Sequence, residues 1–171
     1  IISAGRPFEV TTLRRDVETD GRRAVVAFTD DWSEDARRRD FRLNALYADS
    51  AGIIHDPAGG LADLDPCRFV FVGSAEDRIR EDYLRTLRLF RFEAWYGSGS
   101  PDPAGLAAAR RLRAGLHTLS AERVWAELKK LLSAPDPGPA VALMAEHEIL
   151  SEILGVNGSL RILVGIINQD I

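Results

Sequence analysis

The stretch "REDYLRTLRLFRF", residues 80–92, sets Glu81, Asp82, Arg85 and Arg88 along one strip of a helical pattern whose other positions are largely apolar. Burying charge is costly unless the charges are paired or serve a ligand. At about 100° per residue, Tyr83, Leu84, Leu87, Phe90 and Ala94 gather on one face. The four charged residues gather on another, beside Leu89 and Phe92. Asp82 and Arg85 are three residues apart, so on a helix a carboxylate acceptor lies next to a guanidinium donor. Cytosine and adenine present a ring-nitrogen acceptor beside an exocyclic amino donor, whereas guanine and uracil reverse that order. Such a pair can therefore read a base edge. The plain alternative is a surface salt bridge worth about 0.3–0.5 kcal/mol, and the strip taken alone leaves both readings open.

Two kinds of segment position this strip. Residues 7–73 carry strand and turn signals: "FEVTTL", "AVVAFT" after an Asp20-Gly21 turn, a hairpin from "LNALYAD" to "IIHDP", and "RFVFVG". Within them "SEDARRRDF" predicts a short helix capped by Ser33. From Ser74 the patterns are helical. One helix is expected over Ala75–Tyr96, a second over about Pro103–Arg113, a third in "LSAERVWAELKKLL" with Ser120 as N-cap, and a fourth over about Ala140–His147. The expected fold is α+β: a head over residues 1–73, followed by an all-helical neck over 74–171.

Composition bounds the function. The chain has 171 residues and a net charge of -4, from 22 Lys and Arg against 26 Asp and Glu, so any nucleic-acid contact must be local rather than a uniformly basic field. Cys67 stands alone and cannot form an internal disulfide, and it is expected to be an inert buried thiol. No apolar run approaches membrane-span length and no signal peptide is visible, which points to the cytoplasm. His55, His117 and His147 show no metal-ligand spacing.

Four segments occur in order: "FEVTTLR" (8–14), "DARRRDFRLNAL" (35–46), "DPAGGLADL" (56–64) and "RFVFVGSAEDRIREDYLRTLRLFRF" (68–92). Together they resemble the class II tRNA nucleotidyltransferase and bacterial poly(A) polymerase family, over about Phe8–Leu132. The resemblance implies a partial polymerase-beta-like nucleotidyltransferase head and a nucleotide-selecting neck. It gives Arg39 and Asp40 contacts to the nucleotide ribose and phosphates, with Asn44 supporting them. Glu81, Asp82 and Arg85 become the selecting template, and Arg88 reaches phosphate. Asp56, Gly59, Gly60 and Asp63 become a flexible element between head and neck. Arg42 stands where relatives usually have Thr-Ile, and is expected to face solvent.

The same resemblance implies two-metal chemistry with Mg2+, which activates a primer hydroxyl and neutralises a triphosphate. The family's Gly-rich loop and "DxD" strand are not found, and "FEV" leaves Glu9 as the candidate catalytic and metal-binding carboxylate. Asp30, Asp31 and Asp35 fall in what the family treats as a mobile loop. The chain opens without Met directly in a strand pattern and closes on the apolar "SLRILVGIINQDI", so it is expected to be a fragment truncated at both ends and inactive alone. The expected activity of the intact protein is transfer of CMP and AMP from CTP and ATP to a tRNA 3′ end. The alternatives are a poly(A) polymerase, to which the acidic balance runs counter, a non-catalytic nucleotide- or RNA-binding remnant, and a helical structural domain.

Overall fold

The computed structural model describes residues 1–20 and 23–154. Strands β1 (Ile2–Ser3) and β2 (Arg6–Pro7) form a small hairpin, with Ile1 and Phe8 paired across its base. Strands β3 (Arg14–Asp20) and β4 (Arg23–Phe28) make an antiparallel ribbon whose register shifts between Asp16 and Glu18. The expected strand through "FEVTTL" does not form. Residues 9–13 have no regular structure, and Phe8 and Val10 are exposed. A strand needs a continuous ladder partner and a buried face; among the described residues only the ends of this segment are held, Phe8 by Ile1 and Leu13 by Thr29.

Helix α1 (Trp32–Arg37) is capped by Asp31, whose side chain accepts the Ser33 N–H at 2.7 Å. Ser33 therefore lies inside the helix it was expected to cap. Asp35, assigned to a mobile loop by resemblance, sits in this helix and is 1% exposed. A 3-10 turn (Arg42–Ala45) leads to β5 (Tyr47–Ala48), which pairs with β6 (Ile54–His55) as the hairpin signal predicts. A second 3-10 turn (Gly60–Asp63) follows. "RFVFVG" forms no strand, only a single bridge from Phe71 to Phe41.

The expected long helix is two helices, α2 (Ala75–Glu81) and α3 (Leu84–Tyr96). Asp82 between them is extended at φ -155°, and its carboxylate accepts the Leu84 N–H at 3.1 Å. Helical periodicity continues through the break, so no local signal marks it. Tertiary packing does: the Tyr83 ring fills the space that a Cβ on Gly115 would occupy. Helix α4 (Pro103–Leu112), capped by Asp102, and α5 (Ala121–Leu132), capped by Ser120, run as the sequence predicts. Helices α6 (Gly138–Glu146) and α7 (Ile149–Leu154) complete the described chain, and "SLRILVGIINQDI" lies outside it.

One apolar core runs through both halves. Phe41, Phe69 and Phe71 pack with Ile79, Leu87 and Phe90, and the cluster continues to Met144 and Ile149. The ring centroids of Phe41 lie 4.8 Å from Phe71 and 5.3 Å from Phe92. Each buried phenylalanine contributes about 1.5–3 kcal/mol, so these aromatics fix α3 against the 40–45 segment. Cys67 is only partly buried, contrary to expectation, because it occupies a turn at φ +47° with its thiol on the Leu64 carbonyl.

Candidate functional site

Three short segments converge at the start of α3. Asp40 follows α1, is 7% exposed, and is the anchor of the group. Its Oδ1 accepts from the Phe41 N–H at 3.0 Å and from Asn44 Nδ2 at 2.8 Å. Its Oδ2 accepts from Arg88 Nε at 2.7 Å and also from Arg88 Nη2. Burial pushes the Asp40 carboxyl up, but Asn44, the Arg88 charge and the hydrogen bonds outweigh it and hold it below the usual aspartate range.

Arg85 lies one helical turn before Arg88. Its Nη1 donates to Glu81 Oε2 at 2.6 Å and to the Arg78 carbonyl at 2.9 Å, and its Nη2 donates to the Arg38 carbonyl at 3.3 Å. Glu81 also pairs with Arg78. Asp82 and Arg85, expected as an adjacent acceptor and donor on one helix, are each paired to another residue, Asp82 to Arg123 and Arg85 to Glu81. The helix break turns Asp82 away, and its Oδ2 instead accepts from Arg123 Nη2 of α5 at 2.8 Å. Donor and acceptor thus remain near the same joint, each held by a different partner.

Arg39 is directed elsewhere. Its Nε and Nη2 lie 2.9 and 2.7 Å from Asp35 Oδ2, which also accepts from the Tyr47 hydroxyl at 2.8 Å, while Asp35 Oδ1 accepts from the Arg14 N–H at 3.1 Å. Burial raises the Asp35 carboxyl, but these donors outweigh it and lower it overall. Burial and the Asp35 carboxylate push the Tyr47 hydroxyl up to about 12, which keeps it a neutral donor. The hub role of Asp35 was not visible in the sequence, since an acid in "SEDARRRD" reads as one more solvated charge.

The Asp56–Asp63 segment is fastened to the turn beside it. Asp56 accepts the Gly60 and Leu61 N–H groups at 2.7 and 3.0 Å, and Gly59 has φ +74°, which favours glycine. A Cβ on Gly60 would overlap the Arg42 carbonyl. Asp63 is 0% exposed and takes both Nε and Nη2 of Arg42 at 2.7 Å, with Arg68 at 3.3 Å. Arg42 therefore does not face solvent as expected. A buried carboxylate attracts it into a bidentate pair.

The sequence comparisons match this architecture in two blocks. Residues 1–68 match the family described as "Poly A polymerase head domain", and residues 100–155 match "Probable RNA and SrmB- binding site of polymerase A". The chain is 47% identical to the Danio rerio CCA tRNA nucleotidyltransferase 1, mitochondrial, covering 81% of this chain and 33% of that protein. It is 32% identical to the Geobacillus kaustophilus CCA-adding enzyme, covering 95% and 41% respectively. The solved structure of Bacillus stearothermophilus CCA-adding enzyme in complex with CTP superposes with a TM-score of 0.81 at 32% identity, over 94% of this chain and 39% of that one. The chain belongs to the CCA-adding enzyme and poly(A) polymerase family. Its α+β fold is the family's nucleotidyltransferase head joined to a helical neck, and it spans about a third to two fifths of the length of the curated relatives it matches.

Membership of this family raises the question of metal. Glu9 is exposed on the irregular 9–13 segment, and the described residues contain no group of three or more His, Cys, Asp or Glu able to hold an ion. Octahedral Mg2+ takes about six oxygens, and Glu9 alone does not fit that demand. Among the described residues, no helix is long and apolar enough to cross a membrane.

Proposed function

We propose that this chain is the head-and-neck portion of a template-independent tRNA nucleotidyltransferase, which adds CMP and AMP from CTP and ATP to tRNA 3′ ends and releases pyrophosphate. The observation that carries this reading is the contact of the "EDYLR" joint with the "RRD" segment, through Arg85 on the Arg38 carbonyl and Arg88 on Asp40. A base closing over Asp82 and Arg85 would meet an acceptor and a donor held by separate partners. Arg85 uses three of its roughly five N–H donors among the described residues, which leaves others for a ring nitrogen. Glu81 orients that guanidinium. Arg39, Asp40 and Asn44 are assigned to the ribose and phosphates in this reading, for which Arg39 would have to leave Asp35. Among the described residues Arg88 spends Nε and Nη2 on Asp40, which leaves Nη1 for a phosphate oxygen.

The wider assignments belong to the same proposal. A divalent metal, Mg2+, is the cofactor in this reading; of the described residues only Glu9 is assigned to it, and the further oxygen ligands it needs are not found among them. Asp56, Gly59, Gly60 and Asp63 are assigned to a movable element between head and neck, whose motion would have to carry the Arg42–Asp63 pair with it or open it. A cytoplasmic location is included, although the Danio rerio relative is named mitochondrial. The names of the two matching families favour a second reading, a poly(A) polymerase.

Competition of the four ribonucleoside triphosphates at fixed salt, for wild type and Asp82→Ala, tests the proposal. CTP and ATP should displace a bound probe at concentrations at least about tenfold below UTP and GTP, since each unpaired buried polar group costs about 1–3 kcal/mol. Asp82→Ala and Glu81→Gln should narrow that gap. Equal displacement by all four in every variant would refute base reading, and preference for ATP alone would favour the poly(A) polymerase.

A further inference from the structure

Tyr83 and Gly115 meet where the chain breaks between α2 and α3. Gly115 belongs to a 3-10 turn (Arg113–Thr118) that leads through Leu119 and Ser120 into α5. Its φ is not positive, so nothing in the backbone asks for glycine there. Glycine is otherwise a poor choice inside a helical turn. What the position requires is the missing side chain, because a Cβ on Gly115 would overlap the Tyr83 ring. The turn is not free to retreat: the Thr118 hydroxyl donates to the Gly115 carbonyl at 2.7 Å, and the neighbouring Leu116 is buried in the core.

The same corner holds the residue before Tyr83. Arg123, in the first turn of α5, donates to Asp82 Oδ2 at 2.8 Å, while Asp82 Oδ1 takes the Leu84 N–H. One continuous segment thus grips two adjacent residues of the break, Tyr83 through Gly115 and Asp82 through Arg123. Arg85 depends on the break as well. On one continuous helix Arg85 and Arg78 would stand about 10 Å apart along the axis. With the chain broken between them, Arg85 Nη1 reaches the Arg78 carbonyl at 2.9 Å as well as Glu81. The placement of the Asp82 acceptor relative to the Arg85 donor is therefore a property of the break.

We propose that Gly115 is a positioning residue for nucleotide choice: by admitting the Tyr83 ring it fixes the break, and through the break the spacing of Asp82 and Arg85. The inference rests on the proposed base reading by that pair, and adds to it a determinant on a separate element. A ring forced off the turn carries the start of α3 with it, since the Tyr83 carbonyl accepts the Thr86 N–H at 3.1 Å and the Asp82 carbonyl accepts the Arg85 N–H at 3.0 Å. A shift of about 1 Å takes a hydrogen bond out of range, so a two-point match to a base edge does not survive it.

The test is competition of the four ribonucleoside triphosphates with the full chain, for wild type, Gly115→Ala, Tyr83→Ala and the double variant. Gly115→Ala should bring the preference for CTP over UTP from about tenfold down to near unity. That ratio is read only from molecules that bind, so a variant that merely lowers the folded fraction leaves it unchanged. Tyr83→Ala should narrow the ratio in part, because Asp82 keeps its bonds to Leu84 and Arg123. Adding Gly115→Ala to it should change nothing further, since the ring that the methyl displaces is gone. This comparison holds even where Gly115→Ala alone does not fold. A wild-type ratio in Gly115→Ala would overturn the inference, as would an equal loss from Gly115→Ala with and without the ring. Both results leave the base reading in place. Equal displacement by all four nucleotides in wild type would instead refute the base reading itself, and the inference with it.

Discussion

Asp40 and Arg88 are 48 residues apart in sequence and share the double hydrogen bond that ties the first half of the chain to helix α3. The folded carboxyl is held below its ordinary value of 3.8. Its contribution to stability is therefore full above that value and is lost as pH falls through the lower folded value. Arg88→Met should destabilise the protein by about 1–3 kcal/mol at neutral pH, by leaving a buried carboxylate short of partners. In urea unfolding, the gap between wild type and Asp40→Asn should close as pH drops below about 4. A gap independent of pH would show that the charge of Asp40 contributes nothing.

Glu93 on α3 behaves in the opposite sense. Burial pushes its carboxyl up to about 7, with Asp102 adding to the shift and the Phe69 amide opposing it, and its Oε1 has no partner among the described residues. The folded state then holds a proton that the unfolded chain releases near 4.5. Stability from this group is full below that pH and is lost as pH rises toward 7. Glu93→Gln should flatten the decline and gain on the order of 2 kcal/mol at pH 8. Thermal unfolding from pH 4 to 8 checks this, and parallel wild-type and variant curves would argue against a buried acid.

The Arg42–Asp63 pair makes a third prediction. Arg42→Met leaves Asp63 buried with only Arg68 beside it and should cost about 2–3 kcal/mol. Replacing both, with Arg42→Met and Asp63→Leu, should recover stability to within about 1 kcal/mol of wild type. A double-mutant cycle in denaturant measures the coupling, and additive single losses would mean the bidentate geometry has no energetic weight.

How much of this was legible depended on where the deciding force lay. Ser120 and Asp102 cap helices whose pattern and boundaries are local, so α4 and α5 could be read directly. The Tyr47–His55 hairpin was likewise visible from its turn residues. The break at Asp82 was not, because Tyr83 fits against Gly115, thirty-two residues away. The same holds for Arg42 and Asp35, which read as surface charges until the chain folds them against a partner. Of the residues assigned to the template, Glu81 and Arg85 are paired one turn apart, whereas Asp82 is bonded to Arg123 through a contact that spacing does not encode. Glu9 illustrates the converse, a local strand pattern without a neighbouring strand to make it one.

The shared apolar core has a practical corollary for recombining this protein with its relatives. A crossover at the junction of residues 73 and 74 would separate Phe41, Phe69 and Phe71 from Ile79, Leu87 and Phe90, and the chimera would inherit two mismatched halves of one aromatic lock. Grafts that travel with their packing partners have to include α2 and α3 with the first half of the chain, and a splice after α3 still divides the part of the cluster that reaches Leu106, Met144 and Ile149. The natural unit of exchange is thus set by which side chains interlock, and it runs past the change in sequence character at Ser74.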